Sequence, residues 1–442
     1  MLGARGEIGA RRVGIVLSAL VLAVVFLATL TPSSDTSSSS FWCIACGEFG
    51  GLDVLNNIVL FLPLGFAFAL ASGHRWRSVL ACVAVTTFIE SMQVRAVPGR
   101  DSSLSDLLAN SLGGLLGVEL AVRRAILLRP RGREATVLAA VGAAAFLLVT
   151  TLTSLGLRPA RIPWSLWIQW TPERESFEPF AGRVLDFKLD SIDLSPAFFP
   201  PRSLGLDRKL ARPGWHATVS FETTGIRRRR SVIARIAEEF TVLVSIEQHG
   251  WDLTCEEKTR SADFRFRSPR VALPDALGPS GASPTRVRFT CAREGNSLVA
   301  ATDNRQEALR LSPSLGWRLL DPFALELPRF LWFGAIWLMA LAFPAGYWIG
   351  CMEEQTGAGA TVRGWPTGPL VALGALGIAF LAGLTIVPMV AGTAPAAWWE
   401  WASAAAGAIA GSGAAWLWKA RGARLLVRRG GASVTAVSDA VQ

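Results

Sequence analysis

Seven polar residues interrupt the first apolar stretches of this 442-residue chain, and their spacing is regular. Asp53 and Asn57 are four apart, as are Asp106 and Asn110, so each pair shares one face of a helix. Glu90 and Gln93, three apart, likewise share a face. Arg100 follows in the loop 94–103, where Pro98-Gly99 turns the chain back. Ionisable groups inside apolar segments are costly and usually face a partner or a cavity. A carboxylate held there can act as a general acid or base, and an arginine can clamp phosphate. A structural role competes, because Asp caps helices, Glu snorkels at interfaces and Asn hydrogen-bonds between helices.

Other chemistries lack their signatures. The three histidines, His74, His216 and His249, lie outside the apolar runs and make no metal cluster. There is no phosphate-binding glycine loop, no G-x-S-x-G elbow and no H-E-x-x-H helix. No metal and no cofactor is therefore expected. The formal charge of +10 invites a nucleic-acid reading, but 40 of the 44 basic residues are arginines, many of them at the ends of apolar runs. No nucleic-acid partner is expected.

Composition supplies the elements that must position the seven residues. Hydrophobic residues make up 51% and charged residues 18%, against roughly 25% charged in soluble domains. Mean hydropathy is +0.37. Eight segments are candidate spans: 13–30, 54–72, 78–93, 104–122, 135–155, 329–350, 368–391 and 397–418. The third is the least apolar, because it holds Glu90 and Gln93.

Arg11-Arg12, the His74–Arg77 loop, the arginines of 123–133 and the basic residues of 419–429 all fall on one side if each segment crosses once. By the positive-inside rule that side is the cytoplasm, so both termini are inside. Loop 94–103 and the insert 157–328 are then outside. The first span reads as a retained anchor, with a cleaved signal sequence as the alternative. Trp398, Trp399 and Trp401 mark the outer interface, and Trp416 with Trp418 the inner one.

Four of the six cysteines, Cys43, Cys46, Cys255 and Cys291, fall on the oxidising side. Pairing Cys43–Cys46 and Cys255–Cys291 is permitted, although four cysteines allow three connectivities. The C-x-x-C also suits a redox or zinc site, but it has no second C-x-x-C and no flanking histidine. Cys82 and Cys351 lie in or beside spans.

The second and fourth spans open alike, with Asp53-Val54-Leu55-Asn56-Asn57 matching Asp106-Leu107-Leu108-Ala109-Asn110, as in a duplicated helical hairpin. Gly113-x-x-x-Gly117 and Gly346-x-x-x-Gly350 read as close-packing faces. The ordered set Asp53-x-x-x-Asn57-x-x-Leu60-Phe61-x-Pro63-Leu64-Gly65, Glu90-x-x-Gln93, Gly99-Arg100 and Asp106-x-x-x-Asn110-x-x-Gly113 resembles the VanZ-like membrane family over about residues 10–125. That resemblance carries over the polar cluster position by position and implies a role in the bacterial cell envelope. It also implies a link to glycopeptide antibiotics, since the founding member is associated with teicoplanin resistance. It brings no reaction with it.

Between 170 and 320 the pattern changes to short β-branched and aromatic runs: 184–189, 215–222, 231–236, 240–248, 252–256, 285–291 and 298–302. Turn signals such as Gln248-His249-Gly250 and Glu294-Gly295-Asn296 separate them, as in a β-sandwich. Cys255 and Cys291 fall in two of these strands. The order Trp215–Phe221, Phe240–Leu253, Arg286–Cys291 resembles concanavalin A-like (LamG-type) jelly rolls. Thr302-Asp303-Asn304 stands where that family often has Val-Asp-Gly, so no calcium or sugar ligands are carried over. His216 and His249 read as strand-end or surface residues. Arg227–Arg230 reads as a solvated turn, with contact to anionic polymers or headgroups as the alternative.

The expected molecule is a polytopic α-helical membrane protein of about eight transmembrane helices, with an extracytoplasmic, all-β, jelly-roll-like sandwich. Its parts are a five-helix VanZ-like domain at 1–156, the β domain at 157–328 and three helices at 329–442. Expected partners are membrane lipids and an envelope glycan or lipid-linked precursor. A membrane enzyme acting on a polyprenyl-phosphate-linked substrate, with Glu90 as acid or base and Arg100 on the phosphate, competes with this. So does a structural or assembly factor.

Overall fold

The apolar runs fold as helices and the insert as antiparallel sheets, in a computed structural model. It describes residues 2–32, 41–42, 49–100, 102–162, 165–173, 177–198, 200, 204–223, 225, 227–238, 241–277, 285–321, 331–352 and 367–438. The helices are α1 (Leu2–Leu30), α2 (Gly50–Ser72), α3 (Arg75–Ala96), α4 (Leu104–Val122), the short α5 (Arg124–Leu128), α6 (Arg133–Gly156), α7 (Leu206–Leu210), α8 (Gly316–Leu319), α9 (Leu331–Cys351), α10 (Thr367–Leu381), α11 (Val387–Ala391) and α12 (Trp398–Ser438). A π-helical turn, Ala382–Ile386, joins α10 to α11.

Six of the eight expected spans are long and apolar enough to cross a bilayer: Gly9–Leu30, Gly50–Ser72, Arg75–Ala96, Arg133–Gly156, Trp332–Cys351 and Pro369–Ala391. The chain is thus a multi-pass helical membrane protein with a separate β domain. The other two expected spans, α4 and the start of α12, are helical but are not among these six. Asp106, Asn110 and Glu119 dilute α4, and alanine, glycine and serine dilute α12.

Two compact units divide the chain. One holds Met1–Ala125, Gly156–Leu311 and Arg318–Pro328; the other holds Ile126–Leu155, Ser312–Trp317 and Arg329–Gln442. The fifth span was expected with the first four, yet α6 groups with the last helices. The reason is packing: Ala143 and Phe146 are buried with Leu338, Ala342, Leu376 and Phe380. The Phe146 and Phe380 rings lie 4.7 Å apart. In the same unit the Tyr347 hydroxyl donates to the Leu128 carbonyl at 2.7 Å.

In the first unit, glycines bring α2 and α4 backbone to backbone. A Cβ on Gly113 would strike the Ile58 carbonyl, and one on Gly117 the Leu62 carbonyl. The second unit repeats the device, with Gly346 against Ala408 and Gly350 against Ser412. Both glycine pairs are close-packing faces. Val25, Phe61, Leu64, Cys82 and Ile89 form the core shared by α1, α2 and α3.

Among the described residues the β domain has twelve strands: β1 (Trp167–Trp170), β2 (Gly182–Leu189), β3 (Ile192–Asp193), β4 (Ala197–Phe198), β5 (His216–Thr223), β6 (Arg227–Glu238), β7 (Thr241–Gly250), β8 (Asp252–Glu257), β9 (Arg270–Leu273), β10 (Thr285–Glu294), β11 (Ser297–Thr302) and β12 (Arg305–Arg310). They form two six-stranded antiparallel sheets, ordered β4-β1-β6-β7-β8-β9 and β12-β11-β10-β5-β2-β3. Strand alternation builds the core. Ala217, Val219 and Phe221 of β5 pair with Cys291, Phe289 and Val287 of β10, and the first two rows are fully buried.

A Cys255–Cys291 disulfide links β8 to β10 and so joins the two sheets. Beside it the Arg293 guanidinium donates to Glu257 at 2.6 Å, with the side chains 1% and 5% exposed. Burial raises the Glu257 pKa above its ordinary value, and Arg293 only partly opposes that. The Arg227–Arg230 run is part of β6 and not a turn, so that expectation is corrected. Arg227 pairs with Gly250 of β7, the register shifts between Arg227 and Ser231, and Arg230 lies 3.2 Å from Glu247 and over the Phe177 ring. Cys43 and Cys46 lie outside the described residues.

Candidate functional site

The start of α4 organises the candidate site. Ser103 is its N-cap, accepting the Asp106 amide on its hydroxyl at 3.0 Å. Glu90, near the end of α3, accepts the Ser103 amide at 3.0 Å and also bonds the Ser102 side chain. From α2, the Asn57 amide donates to Asp106 at 2.6 Å. One turn further along α4, Asn110 donates to the Thr86 hydroxyl at 2.9 Å. Gln93 donates to the Thr29 carbonyl of α1 at 3.0 Å. Four helices are therefore tied together at one end by side chains that the sequence singled out.

Two members have capacity to spare. Gln93 Oε1 and Asn110 Oδ1 are buried and have no hydrogen-bond partner among the described residues. Their residues are 8% and 2% exposed. Leaving a buried acceptor unmet costs on the order of 1–3 kcal/mol. Arg100 is exposed and donates from Nε and Nη2 to the Thr31 and Ala28 carbonyls, at 3.2 and 3.1 Å. It thereby satisfies carbonyls in the last turn of α1. Asp53 is exposed at the start of α2, within electrostatic reach of Asp106, Arg100 and Arg267.

All seven expected residues thus sit at one end of α1–α4, but they do not form a single hydrogen-bonded cluster. Asn57, Asp106, Ser103 and Glu90 are linked in a chain, whereas Gln93 and Arg100 each reach to α1. Ser102, Ser103, Thr86 and Arg267 were not anticipated. Ser103-x-x-Asp106 is a legible capping signature, and Thr86 lies one turn before Glu90. Nothing local points to Arg267. Among the described residues no cluster of three or more His, Cys, Asp or Glu side chains suits a metal ion. In the β domain, His216 opens β5, half exposed, 3.7 Å from Asp190 and 3.6 Å from Glu294.

Fold and site define a multi-pass membrane protein with acceptor-rich helix ends beside a two-sheet β domain. A family model described as VanZ/LLP1 matches residues 14–128, so this stretch carries a VanZ-like domain. The match contains all seven polar residues, covers about a quarter of the chain and leaves the β domain outside it. No curated protein and no solved structure matches the chain.

Proposed function

We infer that this is a bacterial cell-envelope protein whose VanZ-like spans bind a lipid-linked or glycan envelope component at the polar cluster. The observation that carries the reading is the pair of buried, unpartnered acceptors, Gln93 Oε1 and Asn110 Oδ1, bordering Glu90 and Asp106 in the family-matched segment. Acceptors of this kind suit an occupant rich in N–H or O–H donors. The termini are assigned to the cytoplasm and the β domain, jelly-roll-like in type, to the outer face. Binding there bears on susceptibility to glycopeptides of the teicoplanin type, as the family resemblance implies.

A binding screen of the purified full-length protein tests this, using phospholipids, polyprenyl-linked precursors and wall polymers. Wild type should retain one class, and Glu90→Gln and Asp106→Asn, folded but uncharged at those positions, should lose it. Retention of no class, or equal retention by the variants, contradicts the reading.

A second reading has its own support. Most of the polar groups also join helices, as Arg100 does at the end of α1 and Glu90 at the start of α4. In a structural or assembly factor both variants would stay competent and a partner protein would co-purify. The enzyme reading is weaker, because Glu90 already accepts from the Ser103 amide and bonds the Ser102 side chain, which ties it to the start of α4.

A further inference from the structure

The β domain hides its large apolar side chains with one exception. Among its described residues Phe264 alone is exposed, at 70%. A single exposed phenylalanine is ordinary on a soluble domain, so its position decides what it means. Phe264 ends the 3-10 helix Arg260–Phe264, and its carbonyl sits over Gly51, where a Cβ would overlap it. The Leu52 amide donates to the next carbonyl, that of Arg265, at 3.3 Å. Gly51 and Leu52 lie in the first turn of α2, which is long and apolar enough to cross a bilayer.

The turn holds the ring at that level. Arg265 adopts a φ of 57°, uncommon for a residue other than glycine. Its amide donates to the Ala262 carbonyl at 2.9 Å, and the Phe266 amide to the Ser261 carbonyl at 3.0 Å. The Ser261 hydroxyl, on a residue 2% exposed, donates to the Arg267 carbonyl at 2.8 Å. The Arg267 guanidinium lies over the Phe49 ring, just before α2, 4.4 Å from its centroid. A strained residue fixed by so many neighbours points to a conformation kept for use.

A second exposed aromatic stands at the start of α4. The Leu104 amide donates to the Phe41 carbonyl at 2.8 Å, and Trp42 beside it is 74% exposed. Gly113 lies against Ile58 and Gly117 against Leu62, so the first turns of α2 and α4 lie level. Aromatic side chains gather where a membrane meets water.

We propose that Phe264 is a lipid contact of the β domain, set into the bilayer interface at the start of α2 and level with Trp42. The partner of this surface is phospholipid, and one edge of the β domain is thereby held at the membrane beside the polar helix ends.

The experiment is photocrosslinking of the full-length protein in liposomes of phosphatidylethanolamine and phosphatidylglycerol. p-Benzoylphenylalanine, which keeps the phenylalanine ring, replaces Phe264, Trp42 or His249 in turn, and mass spectrometry identifies the adducts. His249 is exposed at the other end of β8 from the turn, about 20 Å away, and serves as the solvent control. Lipid adducts are expected at 264 and 42 and not at 249. Gly51→Leu, which pushes the turn off α2, should lower the lipid yield at 264 and leave that at 42 unchanged, which guards against misfolding. A lipid yield at 264 no higher than at 249 overturns the proposal. So do adducts at 264 to a second copy of the chain in place of lipid. An undiminished yield at 264 in Gly51→Leu overturns the seating on α2.

Discussion

Replacing Arg293 by methionine removes the cation from a glutamate that has no water to turn to. Methionine keeps the unbranched stem of arginine, so the loss is mainly the charge and its hydrogen bonds to Glu257 and the Gly295 carbonyl. With both side chains about 95% or more buried, breaking the pair costs about 3–5 kcal/mol. The local opening constant of the linked sheets then rises by roughly 10²- to nearly 10⁴-fold. Hydrogen exchange of the full-length protein reads this directly in the amides of 252–257 and 285–294.

The pH dependence has a definite sign. The folded-state pKa of Glu257 is already raised above the ordinary 4.5 by burial, against the pull of Arg293, and without Arg293 it rises further. Above the unfolded value the native state binds more protons than the unfolded one, so stability falls as pH rises. The deficit of the variant is therefore largest near neutrality and closes toward about pH 4, where the carboxyl is protonated in both states. The double variant Glu257→Met/Arg293→Met should recover most of the loss or exceed wild type. Unchanged protection in the single variant, a deficit that grows on acidification, or a double variant no better than the single would refute the reasoning.

Removing the disulfide with Cys255→Ser and Cys291→Ser opens a loop of 36-residue separation, an effect of about 4 kcal/mol. Urea unfolding of the β domain in the intact protein, compared with and without reductant, checks it. Gly117→Leu forces α2 from α4 where the Leu62 carbonyl lies, and an overpacking cost of about 1–3 kcal/mol or more should appear as a lower melting temperature in detergent. Thr86→Val with Asn110→Leu removes a polar pair and one unmet acceptor together, so thermal stability should hold or rise while ligand retention falls. A fall in stability without loss of retention would assign Asn110 to structure alone.

Much of the architecture was legible because apolar length and strand alternation are local properties. The seven strands read from the sequence appear as β2, β5, β6, β7, β8, β10 and β11, each of which buries apolar side chains. Those missed lie mainly at or near sheet edges. β3 and β4 are two residues long, and β12 reads Arg-Gln-Glu-Ala-Leu-Arg, with little to bury. Four arginines at 227–230 suggest a solvated turn, whereas the run opens β6, with Arg227 paired to Gly250 of β7. The polar cluster was visible as costly residues in apolar runs. The Ser103 cap of α4 is spelled out locally in Ser103-x-x-Asp106, whereas the bond between Ser102 and Glu90 joins two helices and is not. The grouping of α6 with the last helices, and Arg267 over the Phe49 ring, depend on contacts between distant segments that no local pattern encodes.

On the binding reading, the polar residues at one end of α1–α4 form a working site and are more than helix ties. Complementation of a deletion strain under a teicoplanin-type glycopeptide tests it, comparing wild type, Glu90→Gln, Asp106→Asn and a deletion of the β domain at matched membrane levels. Both point variants should fail as the deletion strain does. Point variants that restore wild-type susceptibility, with only the β-domain deletion failing, would contradict it and leave the spans as an anchor.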